Sequence, residues 1–444
     1  MRHLSAVKRL PFPLPPDKKG KTLDNNVAPA PSWGRRLAGI EGLRAAAALS
    51  VLAYHVGLMS SDKVHAGPIG QIILPLLGQG LPLFFVLSGF LLFRPFAVSI
   101  LQGRELPSFR RYARNRVLRI YPAYLVIFCV TSFIMGCVYL VGSTHGFGSD
   151  NIGRITDPAK FIANALLLHM FIPQFVMSGL PVAWSLTAEI TFYVAVPIMA
   201  LVAAVLVRRG VPKMLALTTA PTVLIAIGLG TSFWGHVAAE NLDHGQLIDF
   251  AFGQTWTAVL LRSFLGQADL FGYGIAAALV VVVLDDIGVK NVPGRAKLLL
   301  LIAAGVSLLI GAAGTMPYLS NFAGVASALL LLAVVLPSSR DDGANRLAAL
   351  LEWTPIRFVG LISYSIYLWH LPIIFWLMMR QLTVGSSALA LAFNVVLVLG
   401  VVLPLSALTY FAVERPAMML KRASGKRSRS ESEKRVPIPT APNH

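Results

Sequence analysis

Ten long apolar runs constrain this chain more than any other feature. A helix needs about 20 predominantly apolar residues to cross a bilayer. Hydrophobic residues make up 56% of the chain and charged residues 13%, whereas about a quarter of the residues in a soluble protein are charged. The pattern predicts an all-α, polytopic membrane bundle of about ten transmembrane helices. The predicted spans are residues 37–59, 80–96, 117–141, 182–207, 211–233, 259–284, 298–314, 318–336, 358–379 and 388–411.

Lysine and arginine are unevenly distributed between alternate connecting segments, and this asymmetry predicts the orientation. With the amino terminus in the cytoplasm, each predicted inner segment is rich in arginine or lysine. The predicted outer loops hold few cations: Lys63, Arg154, Lys160 and Arg380. Both termini are therefore predicted to be cytoplasmic. Most of the net charge of +18 lies in the tails and inner loops, so it indicates topology rather than nucleic-acid binding.

Composition divides the chain into three parts. Residues 1–36 are rich in proline and lysine and are predicted to form a disordered cytoplasmic tail, with no cleaved signal peptide. Residues 37–416 are the predicted transmembrane domain, and residues 417–444 a basic, disordered cytoplasmic tail. Two apolar pieces, at 69–77 and 161–172, are too short to cross and are expected to be re-entrant or interfacial.

The first predicted span carries three ionisable residues, Glu41, Arg44 and His55. Such groups are costly inside a membrane and usually face a cavity or a partner. Arg44 and His55 are eleven positions apart, which places them on nearly the same helix face, about 16 Å apart along the axis. The stripe is typical of a functional site. The alternative is that Arg44 extends to the headgroups and His55 caps a loop.

Two arginines at the start of the third predicted span, Arg116 and Arg119, are one helical turn apart. Guanidinium groups in this arrangement can bind phosphate bidentately. The preference of cytoplasmic segments for cations explains the preceding cations Arg110, Arg111 and Arg114. It explains Arg119 poorly, because apolar residues (Val117, Leu118 and Ile120) surround it.

The fourth predicted span contains Glu189, with Ser185 one turn before it and Tyr193 one turn after it. An unpaired carboxylate there would be costly, so Glu189 is expected to meet an arginine, a histidine or water. A structural ion pair between helices is as plausible as a catalytic role. On the sixth predicted span, Arg262 and Asp269 are expected to pair with other spans rather than with each other.

The ninth predicted span carries a polar stripe formed by Ser363, Tyr367 and His370. The favoured interpretation is a hydrogen-bond network between helices, with a direct chemical role as the alternative. No metal site is predicted, because the histidine and acidic residues of the outer loops lack the spacing of metal ligands.

These stretches together resemble acyltransferase family 3, whose membrane proteins transfer acyl groups, usually acetyl, to surface sugars and lipids. The resemblance covers about residues 36–416. It is carried by five motifs in the family's order: GIEGLRAAAALSVLAYH, LPLFFVLSGFLLF, RNRVLRIYP, AWSLTAEITFY and ISYSIYLWH with VERP. The Trp-Ser-Leu…Glu…Phe-Tyr motif adds Trp184 to the candidate site residues.

The resemblance implies a donor, an acceptor and a base. The donor would be acyl-CoA, in particular acetyl-CoA, which would bind as a substrate, with Arg44, Arg116 and Arg119 contacting its phosphates. The acceptor would be a hydroxyl of an envelope glycan or glycolipid on the extracytoplasmic side of a bacterial inner membrane. His55 would be the general base, and Glu189 would orient His55 or anchor an arginine. No permanently bound cofactor is implied.

Three departures from the family pattern stand out. Glu41 occupies a position where the family commonly has aspartate, and Ile190 follows Glu189 where a second polar residue is frequent. The esterase-like domain that some members carry at the carboxyl end is not evident, so we do not expect an attached domain to complete the transfer. The main alternative function is a secondary transporter or flippase for a lipid or glycan, in which arginine, histidine and glutamate form a relay.

Overall fold

Helices account for nearly all of the structure, a computed structural model that describes residues 37–60, 67–140, 151–313, 318–337, 344–385 and 387–420. The first half contains α1 (Ile40–Ser60), α2 (Pro68–Gly78), α3 (Gly80–Leu101), α4 (Phe109–Cys129), α5 (Pro158–Ala165), α6 (Ala183–Arg208), α7 (Lys213–Ala239) and α8 (His244–Phe252). The second half contains α9 (Trp256–Arg262), α10 (Ala268–Asp286), α11 (Gly294–Ala313), α12 (Leu319–Val335), α13 (Ala344–Leu351), α14 (Thr354–Leu361), α15 (Ser363–Met379) and α16 (Ala388–Thr409). Two strands, β1 (Val138–Tyr139) and β2 (Ile152–Gly153), form a short antiparallel hairpin.

The predicted all-α membrane fold is confirmed. Within the described ranges, eight helical segments are long and apolar enough to cross a bilayer, and nine if α14 and α15, which meet at a 69° bend, count as one span. The predicted run 318–336 forms α12, which has 17 residues and is shorter than those segments. This length explains why the count is lower than the predicted ten.

Two predicted boundaries are wrong. The apolar piece 69–77 forms α2, which runs on into α3 with a single residue, Gln79, between them, so the two make one segment of 32 residues. Arg262 and Asp269 do not share a helix: Arg262 ends α9, whereas Asp269 lies in α10 after a short 3₁₀ turn. The extended backbone at Ser263 ends α9, and hydropathy alone does not reveal that break.

Glycines allow two helices at the centre of the bundle to approach closely. A Cβ atom at Gly274 of α10 would overlap the carbonyl oxygen of Val86 in α3, and one at Gly89 of α3 would overlap the carbonyl oxygen of Phe271. Small residues are common where membrane helices pack, because they bring the backbones together. Phe85, Phe192 and Phe271 fill the adjacent core with ring-centroid separations of 4.2–4.7 Å.

We expect Gly274→Ala to lower the free energy of unfolding by about 1–3 kcal/mol, because an extra methyl group would push against backbone that cannot move aside. Gly305→Ala in α11 is the matched control, since nothing lies within 4 Å of its Cβ position. That variant should be neutral or stabilising by about 0.5–1 kcal/mol. Thermal unfolding of the two proteins in the same detergent measures the difference, and equal midpoints would contradict the packing argument.

Candidate active site

Two cavities meet inside the bundle, and Leu81 and Tyr367 line both. The smaller one, here the arginine cavity, has a volume of about 120 Å³. The larger one, here the histidine cavity, has a volume of about 950 Å³. Charged and polar residues of the arginine cavity include Arg44, Arg116, Arg119, Ser88, Glu189 and Tyr193. Those of the histidine cavity include His55, Tyr54, Gln79, Trp184 and Arg262.

The three predicted phosphate-binding arginines come together from two helices. Arg44 of α1 donates through Nε to Ser363 Oγ of α15, at 3.3 Å. Arg116 of α4 lies over the rings of Tyr112 and Tyr193, with its guanidinium carbon 5.8 and 5.7 Å from their centroids. These contacts position the guanidinium groups and leave further N–H donors that an anion in the cavity can use.

Arg119 is held differently, by an ion pair. Its Nη1 donates to Glu414 Oε2 at 3.1 Å, and Ser365 Oγ donates to the other oxygen of the same carboxylate at 2.5 Å. The Glu414 side chain is 1% exposed and the Arg119 side chain 21% exposed. Arg119 is therefore partly neutralised, which the sequence reasoning did not foresee. Glu414 was not among the predicted site residues, although the VERP motif contains it.

Glu189 lies in the arginine cavity, where hydroxyl groups satisfy it. Ser88 Oγ and Tyr193 Oη both donate to Glu189 Oε1, at 2.8 and 2.7 Å. These hydroxyl groups come from α3 and from α6 itself, one turn along, and the Glu189 charge also interacts with Arg44, an arginine partner of the expected kind. Glu189 also does not orient His55, whose hydrogen-bond partners are Val51 and His370.

The polar stripe of α15 reaches three other candidate residues, as the favoured interpretation predicted. Ser363 accepts from Arg44, Tyr367 Oη is 2.7 Å from Ser185 Oγ, and His370 Nε2 is 3.1 Å from His55 Nδ1. Helical spacing of three to four residues explains the arrangement, since it places all three on one face of α15. One helix therefore connects the arginine cavity with the histidine cavity.

The hydrogen-bond partners of His55 and His370 favour one tautomer of each ring. Carbonyl oxygens only accept, so His55 Nδ1, 2.9 Å from the Val51 oxygen, carries a hydrogen, as does His370 Nδ1, 3.3 Å from the Ile366 oxygen. The second nitrogen of His370, Nε2, lies 3.1 Å from the same His55 Nδ1, so in this arrangement it accepts a share of the one hydrogen that Nδ1 also donates to the Val51 oxygen. The remaining nitrogen of His55, Nε2, keeps its lone pair. That is the atom a general base would use.

The remaining predicted residues separate into those near the cavities and those away from them. Trp184 lines the histidine cavity, with its ring 5.0 Å from the guanidinium carbon of Arg262. Glu41 lies in the first turn of α1, outside the lining of both cavities. Asp269 accepts from Asn321 of α12 at 2.8 Å, so it pairs with another span as expected. Within the described ranges, no group of three histidine, cysteine or acidic side chains is placed to hold a metal ion.

The family model of acyltransferase family 3, described as an acyltransferase domain, matches residues 37–411. The chain belongs to this family. It is 25% identical to peptidoglycan O-acetyltransferase OatA of Listeria monocytogenes over 346 residues, which are 76% of this chain and 49% of that protein. It is 26% identical to the putative peptidoglycan O-acetyltransferase YrhL of Bacillus subtilis over 408 residues, 86% of this chain and 55% of that protein.

A third relative is O-acetyltransferase OatA of Staphylococcus aureus, 24% identical over 353 residues, which are 77% of this chain and 51% of that protein. The chain spans about half the length of these curated relatives. No solved structure matches it. Family membership and the candidate spans together make it a multi-pass membrane protein of an acyltransferase family.

A double-mutant cycle tests whether Arg119 and Glu414 stabilise each other. We expect Arg119→Gln and Glu414→Gln each to lower stability, because each leaves a charge without its partner. The double variant should lose less than the sum, with a coupling energy of about 0.5–3 kcal/mol. Chemical denaturation in detergent micelles measures all four proteins. Strictly additive losses would show that the contact contributes nothing.

Proposed function

We propose that this protein is a membrane O-acyltransferase that moves an acyl group, specifically acetyl, from cytoplasmic acetyl-CoA to a hydroxyl of an extracytoplasmic envelope glycan. The observation that carries the proposal is the meeting of the two cavities at Leu81 and Tyr367, with arginines in one and His55 in the other. Donor and acceptor can thus enter separately and react where the cavities join.

The arginine cavity suits the donor. Acyl-CoA carries several phosphate groups, and guanidinium groups bind phosphate through paired hydrogen bonds. Arg116 suits this purpose because it lies over aromatic rings, and stacking of this kind leaves the N–H edge of a guanidinium available to a ligand. Arg44 and Arg119 each use an N–H in contacts with the protein and have further N–H donors for a ligand. Glu189 would anchor the cavity wall through Ser88 and Tyr193 rather than take part in proton transfer.

His55 would act as the general base. The acceptor hydroxyl would give its proton to His55 Nε2 while its oxygen forms a bond with the thioester carbonyl carbon. The carbon–sulfur bond then breaks, CoA leaves as a thiolate, and the proton taken up by His55 passes to the thiolate. His370 would be a positioning residue, because it accepts the Nδ1–H of His55 and so keeps Nε2 unprotonated.

The relatives support the choice of substrates. Two of them are named peptidoglycan O-acetyltransferases, which favours acetyl as the acyl group and an envelope glycan as the acceptor here. A glycolipid hydroxyl fits the same cavity chemistry. The relatives are bacterial proteins, so we place this chain in a bacterial inner membrane, with acetyl-CoA as a substrate and no permanently bound cofactor.

The test compares two variants of the purified protein in an acetyl-CoA turnover assay. His55→Gln should lower turnover by about 10²–10⁴-fold, because an amide cannot take up the proton. Arg116→Ala should mainly raise the Michaelis constant for acetyl-CoA, because it removes a binding contact far from the reacting carbon. Near-normal turnover by His55→Gln would end the general-base assignment. Absence of acyl transfer by the wild-type protein, together with lipid or glycan movement in vesicles, would favour a flippase instead.

We also propose ten membrane crossings with both termini in the cytoplasm. The distribution of lysine and arginine supports this orientation. The course of α12 also supports it. Ser320, at the start of α12, lines the histidine cavity. Beyond the end of α12, the Glu352 side chain accepts from the backbone N–H of Gly39, at the proposed cytoplasmic end of α1. A helix with 17 residues is within the range that spans a bilayer.

Reporter fusions test this topology. Fusions after Arg209, Val292 and Glu352 should read as cytoplasmic, and a fusion after Glu240 should read as external. The Glu352 fusion is the decisive one, because it reads as external if α12 does not cross. The Val292 fusion, on the other side of α11 and α12, is its matched control.

A further inference from the structure

Arg262 is a cation that the proposed mechanism does not use. It ends α9, and its Nε donates to the carbonyl oxygen of Ala251 at 3.1 Å. Its guanidinium carbon lies 3.8 Å from the ring centroid of Phe252 and 5.0 Å from that of Trp184. Among the described residues, no carboxylate pairs with it. Aromatic faces hold this guanidinium in place and leave its charge uncompensated.

The position of Arg262 makes its charge available to a ligand. It lines the histidine cavity, as His55 does. After the bond from Nε, its two terminal nitrogens still offer four N–H groups, in the planar fork that matches a carboxylate or a phosphate. A half-buried cation without a counter-ion is costly, and an anion that enters the cavity would remove that cost.

Other lining groups suit a sugar. Tyr54 and Trp184 contribute aromatic side chains to the lining, and Gln79, Gln267 and Ser320 contribute polar ones. Amide and hydroxyl side chains of this kind can form hydrogen bonds with the hydroxyl groups of a sugar. The lining thus combines one guanidinium group with polar and aromatic side chains.

We propose that the histidine cavity recognises an acceptor sugar that carries an anionic group, a carboxylate or a phosphate, and that Arg262 binds that group. The inference rests on the proposed function, in which this cavity holds the acceptor. The bound anion fixes the orientation of the sugar, so that one of its hydroxyl groups faces His55. Arg262 is then a specificity-determining residue, and neutral sugars bind more weakly.

The test measures binding by the purified wild-type protein in detergent, without acyl-CoA. N-acetylmuramic acid, N-acetylglucosamine 1-phosphate and neutral N-acetylglucosamine are titrated, and dissociation constants follow from the rise in unfolding temperature. At least one anionic sugar should bind about 10- to 100-fold more tightly than the neutral one, the range for charge-assisted hydrogen bonds. The anionic sugar that binds more tightly than N-acetylglucosamine, the one with a carboxylate or the one with a phosphate, identifies the anion.

Variants show whether Arg262 is responsible. Arg262→Gln should reduce the binding of the anionic sugar to the level of the neutral one, and Arg262→Lys should keep part of the gain because it lacks the fork. Arg380→Gln is the matched control: it also removes a guanidinium that stacks on a tryptophan, Trp376, but Arg380 is exposed and does not line this cavity. It should bind like the wild type.

Two results would overturn the inference. Equal binding of neutral and anionic sugars by the wild type would show that the cavity does not select charge. If Arg262→Gln still binds the anionic sugar more tightly than the neutral one, the Arg262 side chain only packs α9 against α6. If Arg262→Gln does not fold, Arg262→Lys decides. Should Arg262→Lys prefer the anionic sugar as strongly as the wild type does, the bidentate fork of Arg262 would not be needed. Binding is measured without turnover, so failure here is distinct from failure of acyl transfer.

Discussion

The energetic penalty for an ionised side chain in hydrocarbon governs how this bundle is arranged. Removing one partner from a buried charge pair is strongly destabilising, so charged groups within spans are held by partners or line cavities. Here three of these charges are stabilised by three kinds of partner. Glu414 receives Arg119 and Ser365, Glu189 receives two hydroxyl groups, and Arg116 is held by aromatic rings. The differences separate charges that stabilise the protein from charges that remain available to a ligand.

Helix α15 links these arrangements. Its polar stripe binds Arg44 near one end of α1 and His55 near the other, and between them Tyr367 contacts Ser185 of α6. A single rigid element thus fixes the distance between the proposed donor site and the proposed base. A shift of α15 along its axis would disturb both contacts at once.

Sequence reasoning captured what depends on local pattern. Hydropathy gave the helices, and the three-to-four spacing of Ser363, Tyr367 and His370 gave one face of α15. Sequence reasoning did not predict contacts between distant parts of the chain. Apolar spans have similar compositions, so their sequences do not indicate which spans pack against each other. The pairing of Arg119 with Glu414, 295 positions later, is therefore absent from the pattern. The break after Arg262 depends on backbone conformation, which hydropathy does not measure.

The junction at Leu81 and Tyr367 has a consequence for the cell that holds the protein. If the two cavities open to opposite sides of the membrane, the material between them is a few side chains thick, and the electrical potential of the membrane falls largely across it. A chain of water through that junction would let protons flow inward and dissipate the ion gradient. The buried Tyr367 side chain, whose hydroxyl already bonds Ser185 and the Val182 carbonyl oxygen, would then be part of the barrier to such a chain of water. The protein would then have to let the proposed donor and acceptor meet while it keeps the membrane sealed to ions.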